Sequence, residues 1–468
     1  LWYPPPFHTS LGVMEVIGGE RVVPIYLLNT LMATFIIITV YFVINSLFGF
    51  LPAILSALLI IFSPRDFMPY LWWQWPERFA YAFVPIILYC FYKYFITYSK
   101  EGNKPIYIYL TALFLGIDLL IHPLVFFHSI LGLAILYVFL SLKQKKIVFN
   151  WKHVGICALI FIVLFMSFPY QTFNIFEFFK KPPVTAQQPQ QKPIDFGRLL
   201  QWSLNPKDYI GSVPPSYFSF RQMHGLWTLP FLLFGMLFVL LKRKERDLFL
   251  LAWLISLYLV LHRDLVGKLT FLHRSLSASA HIFAPLTAIG AVALANVIKL
   301  PSNYNKYLKY GIAAVFIYLA FSINMASASK LINKNTYNPN TIDGFFSALN
   351  LQEYQAAEWI LDNVPHSANI TVLGIPYAEN VLSTTSKKIR WLAAVSQHVT
   401  RFYYFLENKE DILRSQDWNI MMDYTMIGPL NDLETFNYMQ QFEKNISITH
   451  TLIYDKNNIR VYKLEPKR

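Results

Sequence analysis

The chain is 468 residues long, 55% apolar and only 14% charged, against about 25% charged residues in a soluble domain. That balance excludes a disordered chain, a disulfide scaffold and an ordinary soluble enzyme, and predicts a protein that crosses a membrane many times. The net charge of +13 would suit nucleic acid if it were gathered on one soluble face. The Lys and Arg residues instead fall in short loops between apolar stretches, where they act as a topology signal and attract anionic headgroups; no nucleic-acid partner is expected.

The sequence opens on a polar, Pro-rich stretch with no basic region ahead of an apolar run, so no signal peptide is expected. Apolar windows of spanning length then recur near 24–45, 49–62, 79–98, 105–121, 123–141, 153–169, 226–241, 247–261, 276–298 and 308–327. Several fall short of the roughly 20 residues that a helix perpendicular to the bilayer needs, which leaves room for re-entrant segments. Cys90 and Cys157 lie inside two of these windows and read as inert thiols. Basic clusters punctuate the windows: Lys100 with Lys104; Lys143, Lys145, Lys146 and Lys152; Lys242, Arg243, Lys244 and Arg246; and Lys299, Lys306 and Lys309. Each is separated from the next by an even number of windows, so all can face the cytoplasm together. Residue 1 and the C-terminus then lie outside, and a helix upstream of Leu1 is expected.

The expected fold class is an α-helical polytopic membrane protein of about ten transmembrane helices, with a C-terminal extracytoplasmic α/β domain. Residues 1–327 form the transmembrane part, with outer loops 63–78, 170–225 and 262–275. Residues 328–468 form the soluble part. The long loop holds a Pro- and Gln-rich stretch from Pro182 to Pro193, which reads as extended. In the soluble part LQEYQAAEWILDNVP has helical spacing and stops at Pro365. NITVLGI and WNIMMDYTMIG read as strands, NDLETFNYMQQFEK as a capped helix, and HTLIYDKNNIRVYKL as a hairpin turning at Asn457-Asn458. Asn369-Ile-Thr and Asn445-Ile-Ser match the glycosylation acceptor pattern but partly overlap strands.

Four stretches resemble the GT-C superfamily of membrane glycosyltransferases, most nearly archaeal and bacterial members related to oligosaccharyltransferase catalytic subunits. They are YPPPFH at Tyr3 to His8, SPRDFMPYLWWQWPERFA from Ser63, EYQAAEWILDNVP, and YDKNNIRVYKL. The resemblance implies a sugar donor carried on a polyprenyl phosphate, transfer on the outer face of the cell membrane, and membrane lipid as a partner. An acidic residue of the first outer loop is usually catalytic in such proteins; here that loop would precede Leu1, so the N-terminus reads as missing. The Trp-Trp-Asp-Tyr-Gly motif of oligosaccharyltransferases is absent. Trp72-Trp73 is followed by Gln74, and Asp423-Tyr424 lacks the Trp pair, so peptide glycosylation is the less expected activity.

Within that resemblance, Asp66 and Glu77 are candidate catalytic carboxylates, as a general base or as ligands of a divalent cation such as Mg or Mn; beside Trp72, Trp73 and Trp75 they equally fit an interfacial aromatic belt with solvated charges. Arg78, Arg221, Arg263, Lys268 and Arg274 are candidates to bind the donor phosphate, since guanidinium grips phosphate bidentately; headgroup snorkelling gives the same pattern. Asp118 and His122, at i and i+4 on one helix face, with His128, suit a proton relay, a sugar contact or a pair that fastens a helical hairpin. His8 and His224 complete the candidates. Three classes stay open: a lipid-linked-sugar transferase, a non-catalytic membrane subunit or scaffold of a larger complex, and a transporter. The last is disfavoured, because the charges sit in outer loops and no paired broken helices are seen.

Overall fold

The computed structural model describes residues 5–18, 23–64, 66, 75–100, 104–167, 223–261, 276–297, 302–329, 351–365, 368–374, 399–404, 424–427, 450–456 and 459–464. The chain divides into two compact units, one reaching to Lys330 and the other containing Leu331–Arg468.

Helices build the first unit. They are α1 (Pro5–Gly18), α2 (Val23–Phe48), α3 (Phe50–Ile61), α4 (Trp75–Tyr81), α5 (Phe83–Lys100), α6 (Ile106–Ile121), α7 (Pro123–Gln144), α8 (Trp151–Met166), α9 (Leu229–Lys242), α10 (Glu245–Leu261), α11 (Ser279–Val297) and α12 (Ser302–Leu319), the last running into a π-helical turn, Ala320–Met325. Over the described residues, helices account for most of each apolar window of the sequence. Among the described residues, five segments are long and apolar enough to cross a membrane, against the ten expected: Leu27–Phe48, Trp75–Tyr98, Pro123–Gln144, Ser279–Asn296 and Tyr307–Ser329; Phe50–Ile61, Ile106–Ile121, Trp151–Met166 and Leu226–Lys242 are shorter apolar helices. The Pro-rich opening is helical from Pro5, because a proline at the start of a helix forfeits an N–H that has no partner there anyway.

Packing follows from side-chain size. Ile36, Val40, Val43 and Ile44 make one buried face of α2, while Leu27, Leu31, Ile38 and Phe42 point outward as lipid-facing residues do. Helix α11 is lined with buried Ala280, Ala284, Ala288, Ala291 and Ala295. A side chain at Gly235 of α9 would run into the Leu286 carbonyl, and one at Gly290 of α11 into the Phe231 carbonyl. The two helices therefore touch backbone to backbone, the close approach that small residues permit in membrane bundles.

Helix direction sorts the charges. The Gln144 side chain donates to Glu245 Oε1 at 2.7 Å, joining the loop after α7 to the start of α10. Lys146 lies over the Tyr98 ring at the end of α5, and Arg246 donates to the Leu47 carbonyl at the end of α2. These basic loops thus gather at one end. Helix α5 has 18 residues and so runs about 27 Å away from it, close to the thickness of a hydrocarbon core. At that far end lie α4, the start of α11 and Asp66.

The second unit holds a mixed sheet in the order β2-β1-β3-β5-β4, from β1 (Asn369–Gly374), β2 (Val399–Tyr404), β3 (Tyr424–Ile427), β4 (His450–Lys456) and β5 (Ile459–Leu464). β1 runs parallel to β2 and β3, while β5 is antiparallel to β3 and β4. Helix α13 (Leu351–Asn363) buries Ala356, Ala357 and Ile360, and its Trp359 packs on Tyr454 of β4 at 4.8 Å between ring centroids. Sequence reading assigns no strand at 399–404. Asn369 pairs with Val399 at the head of β1, so that acceptor pattern sits in a strand ladder. The expected helix NDLETFNYMQQFEK and the turn Asn457-Asn458 lie outside the described residues.

Candidate functional site

The far end of the helical unit is organised around one carboxylate. Ile61 closes α3, and a tight turn follows in which Asp66 donates its backbone N–H to the Ser63 carbonyl at 3.0 Å. This holds Asp66, 2% exposed, over the start of α11. Its Oδ2 accepts from Arg78 Nη2 of α4 at 2.5 Å and its Oδ1 from His281 Nε2 of α11 at 2.7 Å. Burial acts to raise the Asp66 pKa, but the Arg78 charge and the hydrogen bonds from His281 and Arg78 outweigh it, so the carboxyl sits below its ordinary range. A carboxylate oxygen only accepts, so Nε2 of His281 must carry the hydrogen and Nδ1 is left as its basic nitrogen. Such a carboxylate–imidazole pair fixes the tautomer and orientation of the ring.

Two further histidines flank this pair. His224 Nε2 faces the Ala280 carbonyl at 2.9 Å and so donates to it. Burial holds the His224 imidazole down at about 4, although that carbonyl and the Asp66 charge pull the other way. The sign follows directly. Between about pH 6.5 and 4 the unfolded chain takes up a proton that the folded chain refuses, so stability is present above pH 6.5 and falls with pH through that window, by about 1.4 kcal/mol per unit at most. Denaturation of the wild-type chain at pH 7 and pH 5 should show the loss, and His224→Gln should flatten it; an equal slope in both chains would assign the loss elsewhere. His128 Nε2 donates to Ser256 Oγ at 3.0 Å, since that hydroxyl gives its own hydrogen to the Trp253 carbonyl. The Tyr81 ring lies between His128 and His281, 5.8 and 6.3 Å from them by centroids.

The sequence candidates are thus distributed. Asp66 and Arg78 meet, and His224 and His128 lie beside them. Glu77 is buried in the first turn of α4. Asp118, fully buried, accepts from Ser129 Oγ at 2.7 Å across the α6–α7 hairpin, and His122 is the corner of that hairpin, its N–H donating to the Asp118 carbonyl at 2.8 Å. His8 lies in α1. Arg221, Arg263, Lys268 and Arg274, with Trp72 and Trp73, lie outside the described residues. His281 is absent from the sequence candidates because it falls inside an apolar window. The signal for it was the one used for Asp118: an ionisable side chain near the end of a span. Among the described residues no three His, Cys, Asp or Glu side chains converge as metal ligands. Each Asp66 oxygen already accepts one N–H donor.

No family model and no curated protein matches the sequence. Solved structures do. The chain superimposes on ArnT from Cupriavidus metallidurans in the apo state with a TM-score of 0.53 at 11% identity, covering 100% of this chain and 90% of that one. The chain therefore shares the fold of that structure. It also superimposes on the apo oligosaccharyltransferase of Archaeoglobus fulgidus, with a TM-score of 0.53 at 13% identity over 99% of this chain and 68% of that one. The archaeal oligosaccharyltransferase AglB from Archaeoglobus fulgidus, in complex with an inhibitory peptide and a dolichol-phosphate, matches with a TM-score of 0.50 at 14% identity over 99% and 67%. Among the described residues the helices of membrane-crossing length support a membrane location.

Proposed function

We propose that the protein transfers a sugar from a polyprenyl-phosphate-linked donor to an acceptor on the outer face of the cell membrane, with the Asp66–His281 pair as its base. The observation that carries this reading is the buried carboxylate bridged by Arg78 and His281, at the end of the bundle opposite the basic loops. Basic loops mark the cytoplasmic side, so the pair lies at the outer headgroup level, where a lipid-borne phosphate would keep its tail in hydrocarbon. The acceptor hydroxyl attacks the anomeric carbon, the bond from that carbon to the phosphate oxygen breaks, and polyprenyl phosphate leaves with the electron pair. The hydroxyl proton passes to His281 Nδ1, while Asp66 holds Nε2–H and balances the imidazolium. Arg78 keeps Asp66 ionised; its Nε has no partner among the described residues and suits a phosphate oxygen. Arg221, Arg263, Lys268 and Arg274 are assigned the rest of the phosphate's charge.

Sugar release from radiolabelled polyprenyl-phosphate hexose in reconstituted vesicles tests the reading. Loss of a positioned general base lowers such a rate by about 10²- to 10⁴-fold, so His281→Gln should fall in that range. Unchanged rates in this variant, or no donor use by the wild type, would hand the lead to the non-catalytic subunit, which the fully paired Asp66 also fits as a structural pin. Orientation is tested separately in a chain whose two cysteines are replaced by serine. Gln188→Cys should react with an impermeant maleimide in intact cells and Lys244→Cys only after permeabilisation; the reverse pattern would invert the topology.

A further inference from the structure

Beside the Asp66 turn is a cavity of about 380 Å³ lined by Pro64, Gly225, Leu226, Trp227, Ile323, Asn324 and Ser327. Pro64 stands two residues before Asp66, and Gly225 directly follows His224. Asn324 sits in the π-helical turn Ala320–Met325, a helix distortion frequent at functional sites. It is 2% exposed. Its Oδ1 accepts from Trp227 Nε1 at 3.1 Å, which fixes the amide orientation and leaves Nδ2 as a donor with no partner among the described residues. A buried amide in that state carries an unmet desolvation cost that a ligand can relieve. The Trp227 indole is held by this bond and by an edge contact with Phe316 at 4.9 Å, so the wall is preorganised. Gly225 is the residue that leaves room: its φ is +81°, and a Cβ there would come within 2.9 Å of Trp227 Cδ1 and 3.2 Å of Asn324 Oδ1.

The lining selects a ligand by chemistry. Among the described residues the lining carries no charged side chain. Asn324 offers N–H donors, and Ser327 Oγ, which donates to the Ile323 carbonyl at 2.9 Å, keeps lone pairs to accept. A donor and an acceptor in one cavity match hydroxyl groups, which do both. Pro64, Leu226, Ile323 and the indole match a ring's C–H face. The volume is at the small end of ligand pockets, which run from about 300 to 1,000 Å³, and fits one ring rather than a long chain.

We propose that this cavity is a saccharide subsite, which takes one neutral polyhydroxylated ring with the Asn324 amide as its donor. Only the source of that ring, the lipid-linked donor or a free acceptor, rests on the transferase reading. The test is saturation-transfer NMR on the full chain in lipid nanodiscs, with methyl glycosides of glucose, mannose, galactose and N-acetylglucosamine as probes. At least one glycoside should be saturated. Losing one neutral hydrogen bond weakens binding by about fivefold, so Asn324→Leu should lose that much, and Ser327→Phe, which fills the cavity from its more exposed rim, should lose the signal. No saturation of any glycoside, or saturation that survives both variants, overturns the subsite. Competition then assigns the source. Displacement by polyprenyl-phosphate hexose and not by bare polyprenyl phosphate gives the donor's sugar, displacement by neither gives the acceptor, and equal displacement by both means a lipid chain fills the cavity and overturns the proposal. Transfer by Asp66→Asn reports on the catalytic reading alone, so the two ideas fail separately.

Discussion

Asp66→Leu is expected to cost about 3–5 kcal/mol of stability, because it leaves the Arg78 guanidinium buried without its counter-charge. Arg78 is 9% exposed and its Nη2 is bound to Asp66, so water reaches it poorly. The double variant Asp66→Leu/Arg78→Met removes both charges and should recover at least half of the loss, since replacing a whole buried pair by apolar residues is often neutral. Sugar transfer should behave otherwise. Both variants lose the group that orients His281 and should fall by about 10²- to 10⁴-fold. Chemical denaturation in detergent, read beside donor turnover, separates the two roles. Full recovery of turnover in the double variant would make Asp66 a structural pin and remove the general-base assignment.

Gly290→Val is expected to destabilise the helical unit by about 3 kcal/mol, the upper end of overpacking costs. The atom that blocks the new side chain is the Phe231 carbonyl oxygen, which cannot swing aside as a flexible side chain does. The helices must separate instead, and the reciprocal approach of Gly235 to the Leu286 carbonyl opens with them. Gly311 of α12 has open space around its Cβ position, so Gly311→Ala is the control and should cost nothing beyond noise. Thermal unfolding of the three chains in one detergent measures this. Equal midpoints would mean that α9 and α11 are not in backbone contact.

The apolar windows and the basic loops were legible in the sequence because both are properties of short contiguous stretches. A run such as Phe50–Ile61 declares itself residue by residue, and the even spacing of Lys145, Lys244 and the other clusters depends only on chain order. The hairpin β4–β5 was legible for the same reason: its strands are neighbours in the chain, and their alternation is written locally. The site was legible only in part. Asp66 and Arg78 stand 12 residues apart in the chain, near enough to be suspected together, whereas His281 is 215 residues from Asp66 and Trp227 is 97 from Asn324. Which helices become neighbours is decided by side-chain volumes across their contacts, here the alanine face of α11 and the Gly235–Gly290 approach. Hydropathy records how apolar a window is and says nothing of which other window it fits. The sequence therefore determined that this chain enters a membrane and which ends of its helices share a side. Only tertiary packing decided that a histidine hidden in one apolar window would meet a carboxylate in a distant loop, because that meeting follows from shape complementarity among segments that look alike in one dimension.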